Sequence, residues 1–267
     1  MRIDLHVHSK YSHDSKSCVK DIINTAKKAG LDGIAITDHN SFEGSREALD
    51  ICPPDFTVVP GAEYSSDKGH ILTYFIKQGL ENILTKDSKG VYKWQDIISA
   101  AREQGALIFL AHPFRFHKQA DTELLQKVDG IEVYNCRAAL CRTIDANKMA
   151  IDEAVKYKKA FSAGSDGHWL GEIGKAFFEI DDKLFELKAD RTSVIRQALL
   201  EGCGRIYGNA TTRLYEPASQ ILGRIKAHTP GRLPKPVIKM GYSLIMEAGR
   251  LIGTGKKPLE GWFDLKD

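Results

Sequence analysis

The sequence of 267 residues lacks the features that mark several classes of protein. Its five cysteines are odd in number, widely spaced and without a CxxC pair, which argues against a disulfide framework. No apolar run approaches the roughly 18 residues of a membrane span, and the first residues lack the hydrophobic stretch of a signal peptide. The formal net charge of +3 is too small to indicate a surface coated by nucleic acid. A reduced, cytoplasmic protein is therefore expected.

Short apolar runs alternate with longer helix-period segments up to about residue 207. The candidate strands are 2–7, 33–37, 57–63, 70–75, 106–112, 130–135, 159–166 and 204–208. Helices fit between them, and the first is expected to be capped by Ser17, to run to Lys28 and to stop at Gly30. Repeated strand-helix units predict a largely parallel sheet, and about seven or eight of them favour a barrel over an open sheet.

The pattern changes after Tyr207. Residues 229–236 carry three of the nine prolines and predict an irregular connector, followed by a helix from Pro236 through Arg250 that ends at Gly253 and Gly255. Between residues 221 and 260 there are eight lysines or arginines against two glutamates. We interpret this basic tail as an extension that packs on the barrel with a solvated charged face; a phosphate-rich partner or a membrane surface is the alternative.

Histidine and carboxylate side chains recur where the predicted strands end. His6 and His8 end the first strand, and later strands are followed or ended by His39, Glu63, His112, Asp166 and His168. The carboxyl ends of parallel barrel strands converge on one face, so these side chains are expected to share one volume. Each of them alone could be a polar turn residue, a cap or a core histidine. Their recurrence in five separate segments favours a common site.

The chemistry of these residue types predicts metal binding. Imidazole and carboxylate ligands without thiolate suit zinc, iron or manganese. They outnumber what one four- to six-coordinate ion can use, and a carboxylate such as Glu63 can bridge two ions. We therefore expect a centre of two or three divalent ions that activates water and holds the oxygens of a phosphoryl group.

Seven motifs carry these residues in a fixed order: DLHVHSKYSHDS (4–15), GLDGIAITDHNSFEG (30–44), PGAEYS (60–65), GHILTYF (69–75), AHPFR (111–115), GIEVYN (130–135) and GSDGH (164–168). In this order the chain resembles the PHP family, the polymerase and histidinol phosphatase domain, in its short stand-alone form. The resemblance implies a distorted (β/α)7 barrel over residues 1–208 with a trinuclear metal centre, and it leaves residues 209–267 as a partly helical basic extension.

The resemblance also implies how the ligands are shared among three metals. The first metal is expected to take His6, His8, Asp166 and Glu63, which bridges to the second metal with His70 and His112. The third would take His39 and His168, completed by Asp14 or His13; Asp14 is preferred because the YSxD spacing is the commoner family pattern. Asp4 and Asp38 are expected to orient the metal-bound imidazoles.

The implied activity is a metal-dependent phosphoesterase that attacks a phosphomonoester, or a phosphoester of a nucleotide or short RNA, with a metal-bridging hydroxide. The expected catalytic residues are His6, His8, Glu63, Asp166 and His168. Arg115 is expected to hold the substrate phosphate because its guanidinium fork matches phosphate oxygens, with an ordinary surface arginine as the alternative.

Two other functions are weighed against this one. A non-catalytic metal-binding or nucleic-acid-binding PHP module would be expected to lose ligands, whereas this chain keeps the whole set. An amidohydrolase-type C–N hydrolase commonly has a lysine at a middle strand end, where this chain has Glu63.

Overall fold

The computed structural model describes residues 1–116, 119–141, 143–181, 190–252 and 258–263 of the chain. Its strands are β1 (Arg2–Val7), β2 (Gly33–Ile36), β3 (Thr57–Ser66), β4 (Gly69–Tyr74), β5 (Leu107–Leu110), β6 (Gly130–Asn135), β7 (Ala160–Gly164), β8 (Ala176–Glu179), β9 (Arg205–Gly208) and β10 (Gly261–Phe263). Its α-helices are α1 (Val19–Lys28), α2 (Glu43–Ile51), α3 (Trp94–Glu103), α4 (Thr122–Lys127), α5 (Ala146–Lys156), α6 (Arg191–Glu201), α7 (Tyr215–Lys226) and α8 (Pro234–Leu251).

Strands β1 to β7 curl into a distorted barrel. They are hydrogen-bonded in sequence order, and β1–β2, β2–β3, β5–β6 and β6–β7 are parallel pairs. The sheet returns to β1 through Gly167, whose N–H lies 3.3 Å from the carbonyl of His6 and whose carbonyl accepts from the N–H of His8 at 2.9 Å. The predicted distorted barrel of the PHP type is thus confirmed.

Strand β4 is the distortion that matters for the site. It runs antiparallel to both β3 and β5, with Leu72 opposite Glu63 on one side and Phe109 on the other. The reversal brings the start of β4 to the barrel end at which β3 and β5 finish. His70 therefore lies with the ligand-type residues even though it begins its strand.

A second edge completes the sheet. The first residues of β1 pair antiparallel with β8, and β8, β9 and β10 follow one another outward. The sequence pattern predicts β9 but not β8 or β10. The β8 segment AFFE is a short apolar run of four residues, and a run of this length has no period that separates strand from helix or loop.

Helix α1 shows what the local pattern predicts well and where it fails. Its buried face is formed by residues spaced as an amphipathic helix requires, namely Val19, Ile22, Ile23 and Ala26. Gly30 follows it with φ +77°, a conformation that glycine adopts without strain. The predicted cap is wrong, however, because Cys18 is the N-cap residue and makes no side-chain cap bond. The Ser17 hydroxyl instead donates to the carbonyl of His168 at 3.3 Å.

The C-terminal residues form α7 and α8, which pack against each other. Helix α8 begins at Pro234, two residues before the predicted start. The glycines at 253 and 255 that were predicted to end it lie outside the described residues, as do the tail lysines at 256 and 257. Two tail cations are ion-paired, Lys239 with Glu216 at 2.7 Å and Arg250 with Glu247 at 2.7 Å. No helix in the described ranges combines the length and the apolar character that crossing a bilayer requires.

Candidate metal centre

All nine residues predicted as metal ligands lie together at one end of the barrel. Each places a nitrogen or carboxylate oxygen within 4.8 Å of ligand atoms from at least two other residues, and the set is His6, His8, Asp14, His39, Glu63, His70, His112, Asp166 and His168. The strand ends bring together residues that are up to 162 positions apart in sequence, from His6 to His168. The predicted convergence on one face is therefore what the fold produces.

Glu63 lies at the middle of this cluster and is completely buried. Its Oε1 is 2.8 Å from Nδ1 of His70 and 3.0 Å from Nε2 of His112. Its Oε2 is near a different group of ring nitrogens, Nδ1 of His39 at 2.8 Å, Nε2 of His6 at 3.4 Å and Nε2 of His8 at 3.4 Å. The two oxygens of one carboxylate thus face two separate sets of imidazoles, which is the arrangement that a bridging ligand requires.

A first group of ligand atoms joins the end of β1 to the loop after β7. The Nε2 atoms of His6 and His8 are 3.0 Å apart. Oδ1 of Asp166 lies 3.2 Å from Nε2 of His8 and 3.7 Å from Nε2 of His6. Histidines at i and i+2 of an extended segment can turn both rings toward one point, as the sequence spacing indicates.

A second group includes the loop after β1. Oδ2 of Asp14 lies 3.1 Å from Nε2 of His168 and 3.9 Å from Nε2 of His39. His13 also reaches this region, with Nδ1 3.8 Å from Oδ1 of Asp14, but its side chain is 68% exposed whereas that of Asp14 is 15% exposed. The geometry favours Asp14 over His13 for this position, and the assignment stays a proposal.

The histidine rings are held by partners outside the predicted ligand set. Oε1 of the buried Glu132 lies 2.8 Å from Nδ1 of His6, and the hydroxyl of Ser12 lies 2.9 Å from Nδ1 of His8. Glu132 also accepts from the N–H of His112 at 2.9 Å. Sequence reasoning assigns no role to Glu132; its position in β6, whose neighbours carry ligands, is the signal that points to it.

Asp4 and Asp38 accept from main-chain N–H groups and from the Ser9 hydroxyl, and not from the imidazoles that they were expected to orient. Asp4 accepts from the N–H groups of Ser165 at 2.9 Å and Gly174 at 3.0 Å. Asp38 accepts from both the N–H and the hydroxyl of Ser9 at 2.6 Å. These two carboxylates therefore tie together the loops that carry ligands.

The charges of the cluster compensate one another. Burial alone would raise the pKa of Glu63, but His39, His70 and His6 outweigh it and hold that pKa well below its usual range. Burial likewise opposes ionisation of Asp166, and Arg115 and His6 lower its pKa in the same way. For Asp4 burial is the largest influence and raises the pKa to about 6 despite several hydrogen bonds. The neighbouring cations therefore favour the ionised forms of Glu63 and Asp166 against the effect of burial.

Three buried polar atoms show that the residues fit metal ions. Among the residues that the structure describes, Oδ1 of Asp14, Nδ1 of His39 and Oε2 of Glu63 have no hydrogen-bond partner. The last two are 2.8 Å apart, yet they are not aligned as a hydrogen bond. A buried polar atom without a partner is costly, and divalent cations would satisfy the two carboxylate oxygens through their lone pairs.

Arg115 lies beside the cluster and is 9% exposed, so it is not an ordinary surface arginine. Its Nη1 forms an ion pair with Oδ2 of Asp166, and its Nη2 is 3.6 Å from Oε1 of Glu216. The side chain also lines a cavity of about 420 Å³ with Arg213 and Lys239. One guanidinium thus contacts the ligand cluster and also lines a neighbouring cavity.

Sequence reasoning missed a buried ion pair behind the cluster. Nε and Nη2 of Arg137 donate to the two carboxylate oxygens of Glu172 at 2.9 and 2.7 Å. Glu172 also accepts from the N–H of His168 at 3.0 Å and so fixes the loop on which this ligand lies. The position of Glu172 four residues after His168 is a signal in the sequence, whereas its pairing with Arg137 depends on the fold.

The fold and the cluster define an α/β barrel with a candidate metal centre at one end. The family model of the PHP domain matches residues 4–232, and the chain belongs to this family. An uncharacterized protein of Methanocaldococcus jannaschii is 30% identical over 207 residues, which cover 71% of this chain and 75% of the relative.

Two further comparisons concern a curated protein and a solved structure. The probable histidinol-phosphatase of Thermotoga maritima is 44% identical over 41 residues, 15% of this chain and 18% of that protein. The crystal structure of PsfC from Pseudomonas syringae superposes with a TM-score of 0.58 at 18% identity, covering 84% of this chain and 98% of that one. The second similarity shows a shared fold.

Proposed function

We propose that the protein is a metal-dependent phosphoesterase that hydrolyses a phosphomonoester, or a phosphoester of a nucleotide or short RNA. The observation that carries this proposal is the buried Glu63 carboxylate, whose two oxygens face two different sets of histidines. Membership of the PHP domain family supports it, and so does the short stretch of similarity to the probable histidinol-phosphatase.

The proposed centre holds two or three divalent ions, which would be zinc, iron or manganese. His6, His8 and Asp166 would hold one ion, His70 and His112 a second, and Asp14, His39 and His168 a third, with Glu63 between the first two. When bound, such ions lower the pKa of water and neutralise the oxygens of a phosphoryl group.

The side chains of the chain supply the remaining parts of the reaction. Arg115 would hold and orient the substrate phosphate, because its guanidinium lies beside Asp166 and faces the cavity. The buried histidines would exclude bulk water from the reacting phosphoryl group. A site histidine or water at the centre would donate the proton that the departing alkoxide needs.

The proposal is tested by a panel of phosphate esters offered to the purified protein with Mn²⁺, Fe²⁺ or Zn²⁺ and, separately, after chelation. The panel contains an aryl phosphate, a nucleoside monophosphate, a bisphosphorylated nucleoside, short RNA and histidinol phosphate. Turnover of at least one ester that depends on the added ion is expected. Metal-loaded protein that is inert toward the whole panel would refute the enzymatic function and favour a non-catalytic metal-binding or nucleic-acid-binding module.

Arg115→Met is expected to raise KM for the best phosphate ester of the panel. Loss of a charge-assisted contact of roughly 1.5–3 kcal/mol corresponds to a change of about 10- to 100-fold. Arg115→Lys keeps the charge but not the fork and should recover only part of this loss. Initial-rate kinetics measure the effect. Arg196→Met on α6, whose Nη2 donates to the carbonyl of Gly105, is the control, and an unchanged KM would remove Arg115 from substrate binding.

A further inference from the structure

Two loops meet at the group formed by Asp14, His39 and His168. The loop of residues 8–18 lies between β1 and α1 and carries Asp14, and the loop of residues 165–172 follows β7 and carries His168. Oδ2 of Asp14 and Nε2 of His168 are 3.1 Å apart across these loops. Asp14 lies seven residues beyond the end of β1, so the strand does not fix its position.

Lys226, the last residue of α7, binds the first of these loops. Its ammonium group donates to the main-chain carbonyls of Lys10 at 3.1 Å, Ser12 at 2.8 Å and Ser15 at 2.6 Å. A lysine ammonium has three N–H donors, and these three carbonyls account for all of them. The acceptors lie on both sides of Asp14, so the contact fixes the stretch of backbone that presents this carboxylate.

Gly223, almost one turn earlier, brings the helix backbone against the same loop. A Cβ atom on this glycine would lie 3.3 Å from Cβ of Asp14 and 3.4 Å from Cδ2 of His13. A Cβ atom at this position would fit only if the loop shifted by a few tenths of an ångström. The helix and the loop are therefore packed directly together at Asp14.

Ser219, one turn earlier again, binds the second loop. Its hydroxyl oxygen accepts from Nε1 of Trp169 at 2.9 Å and from Nη2 of Arg137 at 3.1 Å. Arg137 in turn pairs with Glu172, which accepts from the N–H of His168 at 3.0 Å. Positions 219, 223 and 226 share one face of a helix, so a single face of α7 contacts both loops.

We propose that α7 is a positioning helix for the third metal position. Its face of Ser219, Gly223 and Lys226 holds the two loops at the separation at which Asp14, His39 and His168 can share one ion. The other proposed ligands lie within strands or within two residues of a strand end, including His8 and Asp166 at the first positions of the two loops, so the strands rather than α7 chiefly fix them. The inference rests on the proposed function only in supposing that the protein binds divalent ions. It gives the C-terminal extension a role in positioning metal ligands.

The test compares Lys226→Met with two matched variants. Arg224→Met removes an exposed cation from the same helix, and Lys226→Arg restores a cation that can reach the same carbonyls. Mn²⁺ per chain is measured by elemental analysis after equilibration at a series of Mn²⁺ concentrations. We expect Lys226→Met to weaken one Mn²⁺ position about 10- to 100-fold and to leave the others unchanged. Arg224→Met should behave as the unaltered protein, and Lys226→Arg should recover most of the lost affinity.

Hydrogen exchange of the metal-free protein gives a second readout that does not require an active enzyme. Amides of residues 9–17 should exchange faster in Lys226→Met, while those of β1 and β3 keep their protection. Unchanged exchange in this loop, or equal weakening of every Mn²⁺ position, would overturn the inference. An unaltered protein that binds no divalent ion would instead refute the proposed function, and the exchange of the loop would still decide whether Lys226 positions it.

Discussion

Glu63→Gln is expected to lower the turnover of the proposed phosphoesterase reaction at least about 100-fold and to reduce the amount of bound metal. Removal of a side chain that only orients a metal ligand commonly costs about 10- to 100-fold in metal affinity or activity, and a bridging carboxylate should cost more. Glutamine keeps the size of the side chain but loses the negative charge, so one carboxylate no longer balances His39, His70 and His6. Initial rates and elemental analysis of the same sample measure both effects.

Glu103→Gln is the matched control, because Glu103 is exposed on α3 and its replacement should change neither quantity. A Glu63→Gln protein that retains full metal content but loses turnover would assign Glu63 to the chemistry rather than to metal binding. Retention of both metal and turnover would contradict the proposal that Glu63 bridges two ions.

The sequence predicts much of the barrel because the relevant information is local. The first strand and β6 have their predicted bounds of 2–7 and 130–135. The convergence of ligand-type residues follows from one rule, that the carboxyl ends of parallel strands share a face. His70 is the instructive exception, since only the antiparallel orientation of β4 explains why a residue at a strand start belongs with the others.

The parts that sequence reasoning missed depend on contacts between distant segments. Ser17 has the residue type of a helix cap, but its hydroxyl donates to the carbonyl of His168 instead. Glu132 contacts the ring of His6 across 126 positions of sequence, and the residues around either one do not predict this contact. The contact of Lys226 with a loop more than 200 residues earlier could not be predicted from local sequence either.

Arg137→Met is expected to cost about 3–5 kcal/mol in the free energy of unfolding, because it leaves the buried Glu172 carboxylate without its cation. The pair is fully enclosed, with side-chain exposures of 3% and 0%. At about 2–4 °C per kcal/mol for a domain of this size, Tm should fall by roughly 6–20 °C. Thermal and denaturant unfolding of metal-free protein measure the change without any contribution from bound ions.

Arg102→Met provides the control, since Arg102 pairs with Asp129 at the surface, with exposures of 48% and 19%, and its loss should cost at most about 1 kcal/mol. Arg137→Met/Glu172→Met should recover part of the stability, because the uncompensated charge is gone. Full recovery is not expected, since Glu172 also accepts from the N–H groups of His168 and Trp169. A loss in Arg137→Met no larger than that in Arg102→Met would mean that water reaches Glu172 and solvates it. The pair would then contribute no more to stability than the surface pair of Arg102 and Asp129.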